Sequence, residues 1–265
     1  MRRSCVADPL DQVTPLLLTY NEEANISRTL ASLRWARRIV VVDSFSTDAT
    51  LELLAQHPQV EVLQRVFDTH ATQWNAGLDV IPTGWVLSLD ADYVITPALQ
   101  QEISTEIARA DQQRIDGYRI PFRYCVFGKP LRGTVLPSRL ALYRRTCGSY
   151  VDDGHTQDLR LSGTCSALSS PILHDDRKPL SRWLWAQNRY LKLEVQKLLN
   201  TPPSQLGVAD RLRRHTVLAP LAVLLLCLIW HRGLLDGWRG WFYAFQRMYV
   251  ETLLSLMLWE ARHGA

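Results

Sequence analysis

The sequence lacks three patterns that would each place it in a specialised class. Its five cysteines are scattered and form no CxxC pair, so neither a disulfide framework nor a zinc knuckle is indicated. Residues 1–12 are polar without an apolar core, so we expect no signal peptide. The uncharged run at residues 217–230 falls short of the about 20 apolar residues that a spanning helix needs. These absences favour a reducing, cytoplasmic setting.

Acidic residues are missing from residues 117–151, although the whole chain carries a formal net charge of only +4. Two interpretations of this stretch stay open: a solvated basic face, or a surface for anionic partners such as a diphosphate or a lipid headgroup. No nucleic-acid partner is expected, because no recognised binding module is present. The basic residues of the stretch are Arg119, Arg123, Lys129, Arg132, Arg139, Arg144 and Arg145.

Apolar runs alternate with helical patterns over the first ninety residues. Because the apolar runs are nearly continuous, they indicate buried parallel strands. The pattern predicts an α/β fold with a mostly parallel sheet that helices cover on both faces. The predicted strands are residues 13–19, 39–42, 60–66 and 85–89, and the predicted helices between them are residues 21–35 and 46–56.

A composition change follows a predicted amphipathic helix at residues 181–200. The helix ends at Pro202 and Pro203, which break helical structure, and the chain then becomes apolar. We therefore expect a nucleotide-binding domain at residues 1–203 and a C-terminal helical region at residues 204–265.

The C-terminal region has two apolar segments, residues 217–230 and residues 241–259, with tryptophans and tyrosines around them and arginines beside the first. Such rings and flanking cations favour the headgroup layer of a membrane. The pattern predicts an interfacial or re-entrant hairpin. A buried helical hairpin is the alternative, and a transmembrane span ranks third.

Two carboxylates, Asp90 and Asp92, directly follow the predicted strand at residues 85–89. They leave its carboxyl end, where open α/β sheets bind ligands. One or two carboxylates together with phosphate oxygens usually hold Mg²⁺ or Mn²⁺ at diphosphate substrates. The pair therefore predicts a divalent-metal site for a diphosphate substrate.

Polar residues also follow the first two predicted strands. Asp43 ends the second strand, and we expect it to be free to accept from a nucleobase or a ribose, since Ser46 or Asp48 can cap the next helix. Tyr20 follows the first strand and could stack on a base. Glu22 either contacts the nucleoside or stabilises the first turn of a helix.

Residues 16–96 resemble a family 2 glycosyltransferase of the GT-A fold. The whole chain more loosely resembles the lipopolysaccharide-core glucosyltransferase type of that family, which has a turn like the one at residues 233–237. The family resemblance is carried by four motifs in order: residues 19–23 (TYNEE), residues 41–48 (VVDSFSTD), residues 75–77 (NAG) and residues 84–92 (GWVLSLDAD).

The resemblance implies roles for several residues. It implies an inverting displacement in which a carboxylate base takes the proton of the acceptor hydroxyl. Asp90 would contact ribose or metal, and Asp92 would contact the metal. The nucleoside, usually uridine, would be contacted by Thr19, Tyr20, Glu22, Asp43 and Asp68.

The base is less well defined, because this chain has Thr156 where the related lipopolysaccharide enzymes tend to have a glutamate. Asp153 is our first candidate for the catalytic base, Asp152 the second and Asp158 the third. Each could instead be a turn acid beside Gly154.

Two histidines and two cations complete the candidate set. His174 is a candidate metal ligand or diphosphate contact, and His155 is a candidate acceptor contact, although a lone histidine is more often structural. Arg177 and Lys178 are candidate diphosphate partners.

Together these features predict metal-dependent transfer of a hexose from a nucleoside diphosphate sugar, a UDP-sugar, to a lipid-linked glycan. The acceptor would be a lipopolysaccharide core or an undecaprenyl-linked intermediate, and the enzyme would sit on the cytoplasmic face of the plasma membrane as a peripheral or monotopic protein. Two alternatives stay open: transfer to a polyprenyl phosphate, and an inactive sugar-nucleotide-binding scaffold, which Thr156 favours.

Overall fold

The computed structural model describes residues 8–82, 84–153 and 156–264, with only the backbone described at residues 153 and 156. The chain divides into two compact units. The first comprises Met1–Arg123 and Leu136–Arg177, and the second comprises Tyr124–Val135 and Lys178–Ala265.

The strands and helices are numbered separately in chain order. The strands are β1 (Val13–Thr19), β2 (Ile39–Asp43), β3 (Val60–Gln64), β4 (Trp85–Asp90), β5 (Tyr93–Ile95), β6 (Gly117–Ile120), β7 (Phe122–Val126), β8 (Lys129–Pro130), β9 (Arg139–Arg144), β10 (Gly148–Asp153), β11 (Thr156–Leu161), β12 (Cys165–Ala167) and β13 (Ile172–His174). The helices are α1 (Ile26–Ser32), α2 (Thr50–Ala55), α3 (His70–Asp79), α4 (Pro97–Gln113), α5 (Leu180–Asn200), α6 (Val208–Arg213), α7 (Leu218–Leu225) and α8 (Trp238–His263).

A seven-stranded sheet in the order β12-β6-β9-β4-β1-β2-β3 organises the first unit. Strands β4, β1, β2 and β3 are mutually parallel, and β9 runs antiparallel to β4 and β6. Thr19 pairs with Asp43, and Leu18 pairs with Asp90. The carboxyl ends of β1, β2 and β4 therefore share one edge of the sheet, as the predicted parallel arrangement requires.

Alternating residues of the central strands build two apolar layers, since successive side chains of a strand face opposite sides. Leu17, Val41 and Leu89 pack on one face with α1, α2 and α4. Leu16 and Val42 pack on the other face with α3. The prediction of a mixed α/β fold with helices on both faces is confirmed.

The loop after β1 differs from the prediction of a helix at residues 21–35, because α1 covers only Ile26–Ser32. Asn21 has a left-handed φ of 54°, which an α-helix does not allow. Backbone N–H groups of residues 21–23 bond to the side chains of Ser46, Thr50 and Asp48 instead. These tertiary hydrogen bonds prevail over the local helical pattern.

The second unit consists mainly of helices. Helix α5 matches the predicted helix at residues 181–200, and its Leu191 and Leu198 pack against Leu254 and Leu258 of α8. No helix within the described residues is long and apolar enough to cross a membrane. The domain boundary after Pro203 and the interfacial role of the C-terminal helices stay predictions.

The acidic residue of the second apolar segment, Glu251, is paired with an arginine. Glu251 of α8 is buried and accepts from Nη2 of Arg213 at 2.9 Å. Arg213 also reaches Asp210 at 3.1 Å and Glu194 at 3.4 Å. Burial would lower the pKa of Arg213, but the bond to Glu251 and the charges of all three acids raise it. A buried charge without such partners would be strongly destabilising.

Gly77 lets α3 approach the sheet closely. A Cβ at this position would lie 2.4 Å from Leu16 Cδ1 and 2.9 Å from Val42 Cγ2, both in the fully buried core. We expect Gly77→Ala to lower the free energy of unfolding by about 1–3 kcal/mol through overpacking, measured by urea denaturation. The control is Gly207→Ala, where the added Cβ meets no atom within 4 Å and a change within about 0.5 kcal/mol is expected. Equal effects of the two substitutions would contradict this account of Gly77.

Candidate active site

Asp90 and Asp92 lie at the carboxyl end of β4, as predicted. Asp90 is the last residue of the strand, and the buried Ala91 between the two acids offers its carbonyl oxygen to Thr29 Oγ1 at 2.7 Å. Thr29 is fully buried in α1. Helix α1 therefore fixes the backbone from which both carboxylates extend.

The structure brings His174 to Asp92. Strand β13 pairs antiparallel with β5, which places His174 opposite Tyr93. His174 Nε2 lies 3.0 Å from Asp92 Oδ2, and the N–H of Asp175 donates to the carbonyl oxygen of Asp92 at 3.0 Å. Burial would lower the pKa of His174, but the charge and hydrogen bond of Asp92 raise it.

Tyr93 lies beneath the same carboxylates. Its hydroxyl is buried, and the pKa of Tyr93 is raised well above 10.0 by desolvation and by the negative charges of Asp90 and Asp92. The Tyr93 ring contacts the His174 ring with centroids 5.2 Å apart. Asp92 and His174 are thus in contact beside the Tyr93 ring, and Asp90 is near enough for its charge to act on both His174 and Tyr93.

A divalent cation fits the chemistry of this donor set. Asp90 and Asp92 supply carboxylate oxygens, and His174 supplies an imidazole nitrogen next to Asp92. Within the described part of the chain, no three His, Cys, Asp or Glu side chains form a metal-binding group by themselves. Mg²⁺ is usually held by one or two carboxylates together with substrate phosphates, so such a set is compatible with it.

Asp43 ends β2, but its carboxylate is hydrogen-bonded and not free as expected. It is fully buried, and its carboxylate accepts from Thr19 Oγ1 at 2.8 Å, from the N–H of Ser46 at 2.9 Å and from Ser46 Oγ at 2.6 Å. The expectation that Ser46 would leave Asp43 free was wrong, because Ser46 binds Asp43 instead of capping α2. Its contact with a nucleoside stays a prediction.

Asp48 does serve the start of α2. It accepts from the N–H of Thr50 at 3.0 Å and from the N–H of Glu23 at 3.1 Å. Burial would raise the pKa of Asp48, but its hydrogen bonds from Thr50 and Glu23 lower it. The loops after β1 and β2 are thereby joined, whereas Tyr20 and Phe45 stay about half exposed beside them.

Asp68, at the start of α3, is held by Arg65. The two form a bidentate pair at 2.7 and 2.8 Å, and the N–H of Thr69 donates to the same carboxylate at 2.7 Å. Its hydrogen bonds from Arg65 and Thr72 lower the pKa of Asp68 far below the usual range. Asp68 is exposed, so its predicted contact near the base is sterically open.

The segment with the candidate base is anchored by a residue whose role the sequence analysis did not assign. Asn75 Nδ2 donates to the carbonyl oxygen of Tyr150 at 2.9 Å, and Asn75 Oδ1 accepts from the N–H of Tyr150 at 3.0 Å. The Tyr150 hydroxyl donates to Ser88 Oγ of β4 at 2.7 Å, and its ring stacks on Trp74. Strand β10 is therefore tied to both α3 and β4.

The three candidate catalytic bases lie on β10 and β11. Asp152 is exposed on β10, and Asp158 on β11 pairs with Arg160 at 2.9 Å. Asp153 ends β10, but its side chain lies outside the described residues, and so does the whole of His155.

Arg177 and Lys178 are separated by the division of the chain. Arg177 ends the first unit, is exposed, and donates from Nε to Asp175 at 2.7 Å. Lys178 begins the second unit and is partly buried. Their roles as diphosphate partners stay predictions.

Part of the basic stretch has structural partners. Arg144 pairs with Asp111 and Asp116 and lies 4.6 Å from the ring centroid of Trp85. Arg145 donates to the carbonyl oxygens of Leu78 and Ile81. These two arginines support the fold, whereas Arg119, Arg123, Lys129 and Arg139 are exposed.

Comparison with known proteins assigns the class. A family model described as Glycosyl transferase family 2 matches residues 16–157, which span the four motifs and both candidate-base strands up to residue 157. The chain belongs to glycosyl transferase family 2, and the predicted enzyme class is confirmed.

Relatives and a solved structure agree with this assignment. An uncharacterized glycosyltransferase of Rickettsia felis is 23% identical over 204 residues, covering 72% of this chain and 71% of that protein. The lipopolysaccharide core biosynthesis glycosyltransferase LpsC of Rhizobium meliloti is 25% identical over 214 residues, covering 72% and 77%. The crystal structure of S. aureus TarS 1-349 in complex with UDP-GlcNAc is similar in fold, with a TM-score of 0.50, 18% identity, and coverage of 94% of this chain and 87% of that one.

Removing the charge of Asp43 tests its structural role. In Asp43→Asn the amide oxygen can keep the bond from the Ser46 N–H, but its NH₂ then replaces the charged acceptor of the Thr19 and Ser46 hydroxyls, so we expect the free energy of unfolding to fall by about 1–2 kcal/mol. Urea denaturation measures it, with the exposed Asp79→Asn as the matched control. Unchanged stability with weakened nucleotide binding would instead assign the carboxylate to the ligand alone.

Proposed function

We propose that this protein transfers a hexose from a UDP-sugar, with inversion of the anomeric centre, to a lipid-linked glycan of the cell envelope. The observation that supports this most directly is the placement of Asp90 and Asp92 at the carboxyl end of β4, with His174 of β13 in contact with Asp92. Ligands of open α/β sheets bind at the carboxyl ends of the strands.

The loops after β1 and β2 suit the nucleoside end of the donor. Their polar groups are joined by hydrogen bonds, so the backbone is preorganised before a ligand arrives. Tyr20 is about half exposed there, and an aromatic ring of this kind can stack on a base. Uridine is our choice of base because a structural neighbour binds UDP-GlcNAc.

Asp90, Asp92 and His174 are the residues that would hold Mg²⁺ or Mn²⁺. When bound, such a cation neutralises the negative charge that develops on the leaving diphosphate.

The chain itself must supply the base. The acceptor hydroxyl oxygen forms a bond to the anomeric carbon as the bond to the UDP oxygen breaks, and the hydroxyl proton passes to a carboxylate oxygen of Asp153 or Asp152. Asn75 and Tyr150 hold β10, the strand that carries both candidate acids, against α3 and β4.

Release of UDP tests the catalytic assignment. Over membrane lipid extracts with a panel of UDP-sugars and Mg²⁺ or Mn²⁺, we expect turnover with at least one sugar. Asp92→Ala should abolish it, and Asp153→Asn should lower kcat by about 10²–10⁴-fold because general-base catalysis is lost. UDP affinity should be unchanged in Asp153→Asn.

The control is Glu61→Gln on β3. Glu61 is exposed and pairs with Arg38, so this substitution should leave turnover intact. If Asp152→Asn rather than Asp153→Asn lowers kcat, the base is Asp152. If wild type binds UDP but turns over no sugar, the inactive sugar-nucleotide-binding scaffold becomes the better account. An acid-labile product bond would indicate a polyprenyl phosphate acceptor.

We also propose that the second unit lies on the cytoplasmic membrane surface, near a lipid-linked acceptor such as a lipopolysaccharide core. Support comes from a strip of exposed apolar side chains, the α7 surface: Leu218, Leu221, Leu225, Ile229 and Trp230. Their spacing of three and four residues puts most of them on one helical face.

This surface has the chemistry of a membrane interface. Leu221 and Leu225 are each 56% exposed and Trp230 is 79% exposed, which is unusual for adjacent large apolar residues. Arg211 and Arg232 flank the surface along the chain and are exposed, which suits anionic headgroups. Tryptophan favours the boundary between headgroups and acyl chains.

Flotation with phosphatidylglycerol-containing vesicles tests this location. Leu221→Asp with Leu225→Asp should reduce vesicle binding at least about tenfold, because each buried leucine contributes roughly 1.5–3 kcal/mol. Val66→Asp, at an exposed apolar residue after β3, is the control. Unchanged binding would contradict the proposal, and loss of a dimer in the double variant would identify an interface between two copies instead.

A further inference from the structure

Asn25 lacks the capping hydrogen bond that is typical of its position at the start of a helix. It occupies the N-cap position of α1, where asparagine normally accepts from an N–H of the first helical turn. Its side chain makes no such capping bond, although it is almost completely buried. Departures from local preference of this kind concentrate at functional sites.

The amide of Asn25 instead makes four tertiary or medium-range bonds. Nδ2 donates to Glu22 Oε2 and to Asp176 Oδ1, both at 3.0 Å. Oδ1 accepts from Arg28 Nη2 at 2.7 Å and from the N–H of Arg177 at 2.9 Å. All hydrogen-bonding capacity of the amide is used. Its orientation is forced, because a flipped amide would place its oxygen against two carboxylates.

These partners belong to two distant parts of the first unit. Glu22 lies in the loop after β1, on the nucleoside side of the proposed donor site. Asp176 and Arg177 lie two and three residues after His174, which lies 3.0 Å from Asp92. Arg28 strengthens the same link, since its Nη2 also donates to the carbonyl oxygen of Asp175 at 3.0 Å.

We infer that Asn25 is a positioning residue of the donor site, whose buried amide holds the nucleoside-side loop and the segment at residues 174–177 at a fixed spacing. The inference rests on the proposed function for its ligand, a uridine diphosphate. Loss of the amide removes two bonds to Asp176 and Arg177, in the segment that we assign to the diphosphate, and leaves the β1–β2 loop bonds to recognise the nucleoside.

Two measurements on the full chain test this role. The first is hydrogen exchange of the free protein: Asn25→Ala should raise exchange at residues 174–177, above all at the N–H of Arg177, and leave residues 148–152 unchanged. The second is affinity, measured with Mg²⁺. UDP binding should weaken about tenfold, equal to the loss of roughly 1.4 kcal/mol, while UMP binding changes by less than about threefold.

Companion variants separate positioning from stability. Asp176→Ala removes one of the four bonds and should raise exchange at the same segment, and the double variant should add little, since both act through one link. The stability control is Glu102→Gln, which weakens the hold of α4 on Ser169 and Ser170 and should not change exchange at residues 174–177.

Unchanged exchange at residues 174–177 in Asn25→Ala would overturn the inference, and so would equal weakening of UDP and UMP. If wild type binds no UDP at all, the proposed function fails. The exchange result then decides the positioning role alone, so the two failures are distinguishable.

Discussion

The parallel register of β1, β2 and β4 is the constraint on which the candidate site depends. Thr19 pairs with Asp43 and Leu18 pairs with Asp90, so three strands end at the same level. A shift of one residue in any of these pairings would exchange the two apolar layers, and the close packing of Leu16 and Val42 against Gly77 would be lost. The positions of the acids are therefore secured by hydrophobic burial rather than by interactions among the acids.

Around that edge, hydrogen bonds between loops, and not apolar packing, fix the backbone. Asp43 fixes the loop after β2, Asn75 fixes β10, and Asn25 connects the loop after β1 with the segment behind His174. Each uses a short polar side chain with little conformational entropy to lose. Several polar groups within the four motifs of this chain therefore bind other parts of the chain.

The sequence predicts the parallel half of the sheet well, because apolar runs that stop at Asp43 and Asp90 reflect burial directly. It predicts Asp90 and Asp92 as neighbours for the same reason. The contact of His174 with Asp92 could not be derived from spacing, since it depends on the pairing of β5 with β13 across about eighty residues of chain. The helix at residues 21–35 was overpredicted because hydrogen bonds from another loop replace its first turns, and Asn25 was overlooked because this prediction placed it inside the helix.

The path of the chain between the two units limits how the protein can be divided. Residues Tyr124–Val135 leave the first unit to join the second and then return, so the second unit is assembled from two separate segments. Val126 and Leu131 of this segment are buried among Cys227, Leu228 and Tyr243 of the C-terminal region. A chain that ends at residue 177 or 203 would still contain Tyr124–Val135 but would lack the residues that bury it. The apolar side chains of this hairpin would then be exposed to solvent. Aggregation of such fragments would therefore result from the exposure of Tyr124–Val135 and not from a defect in the seven-stranded sheet.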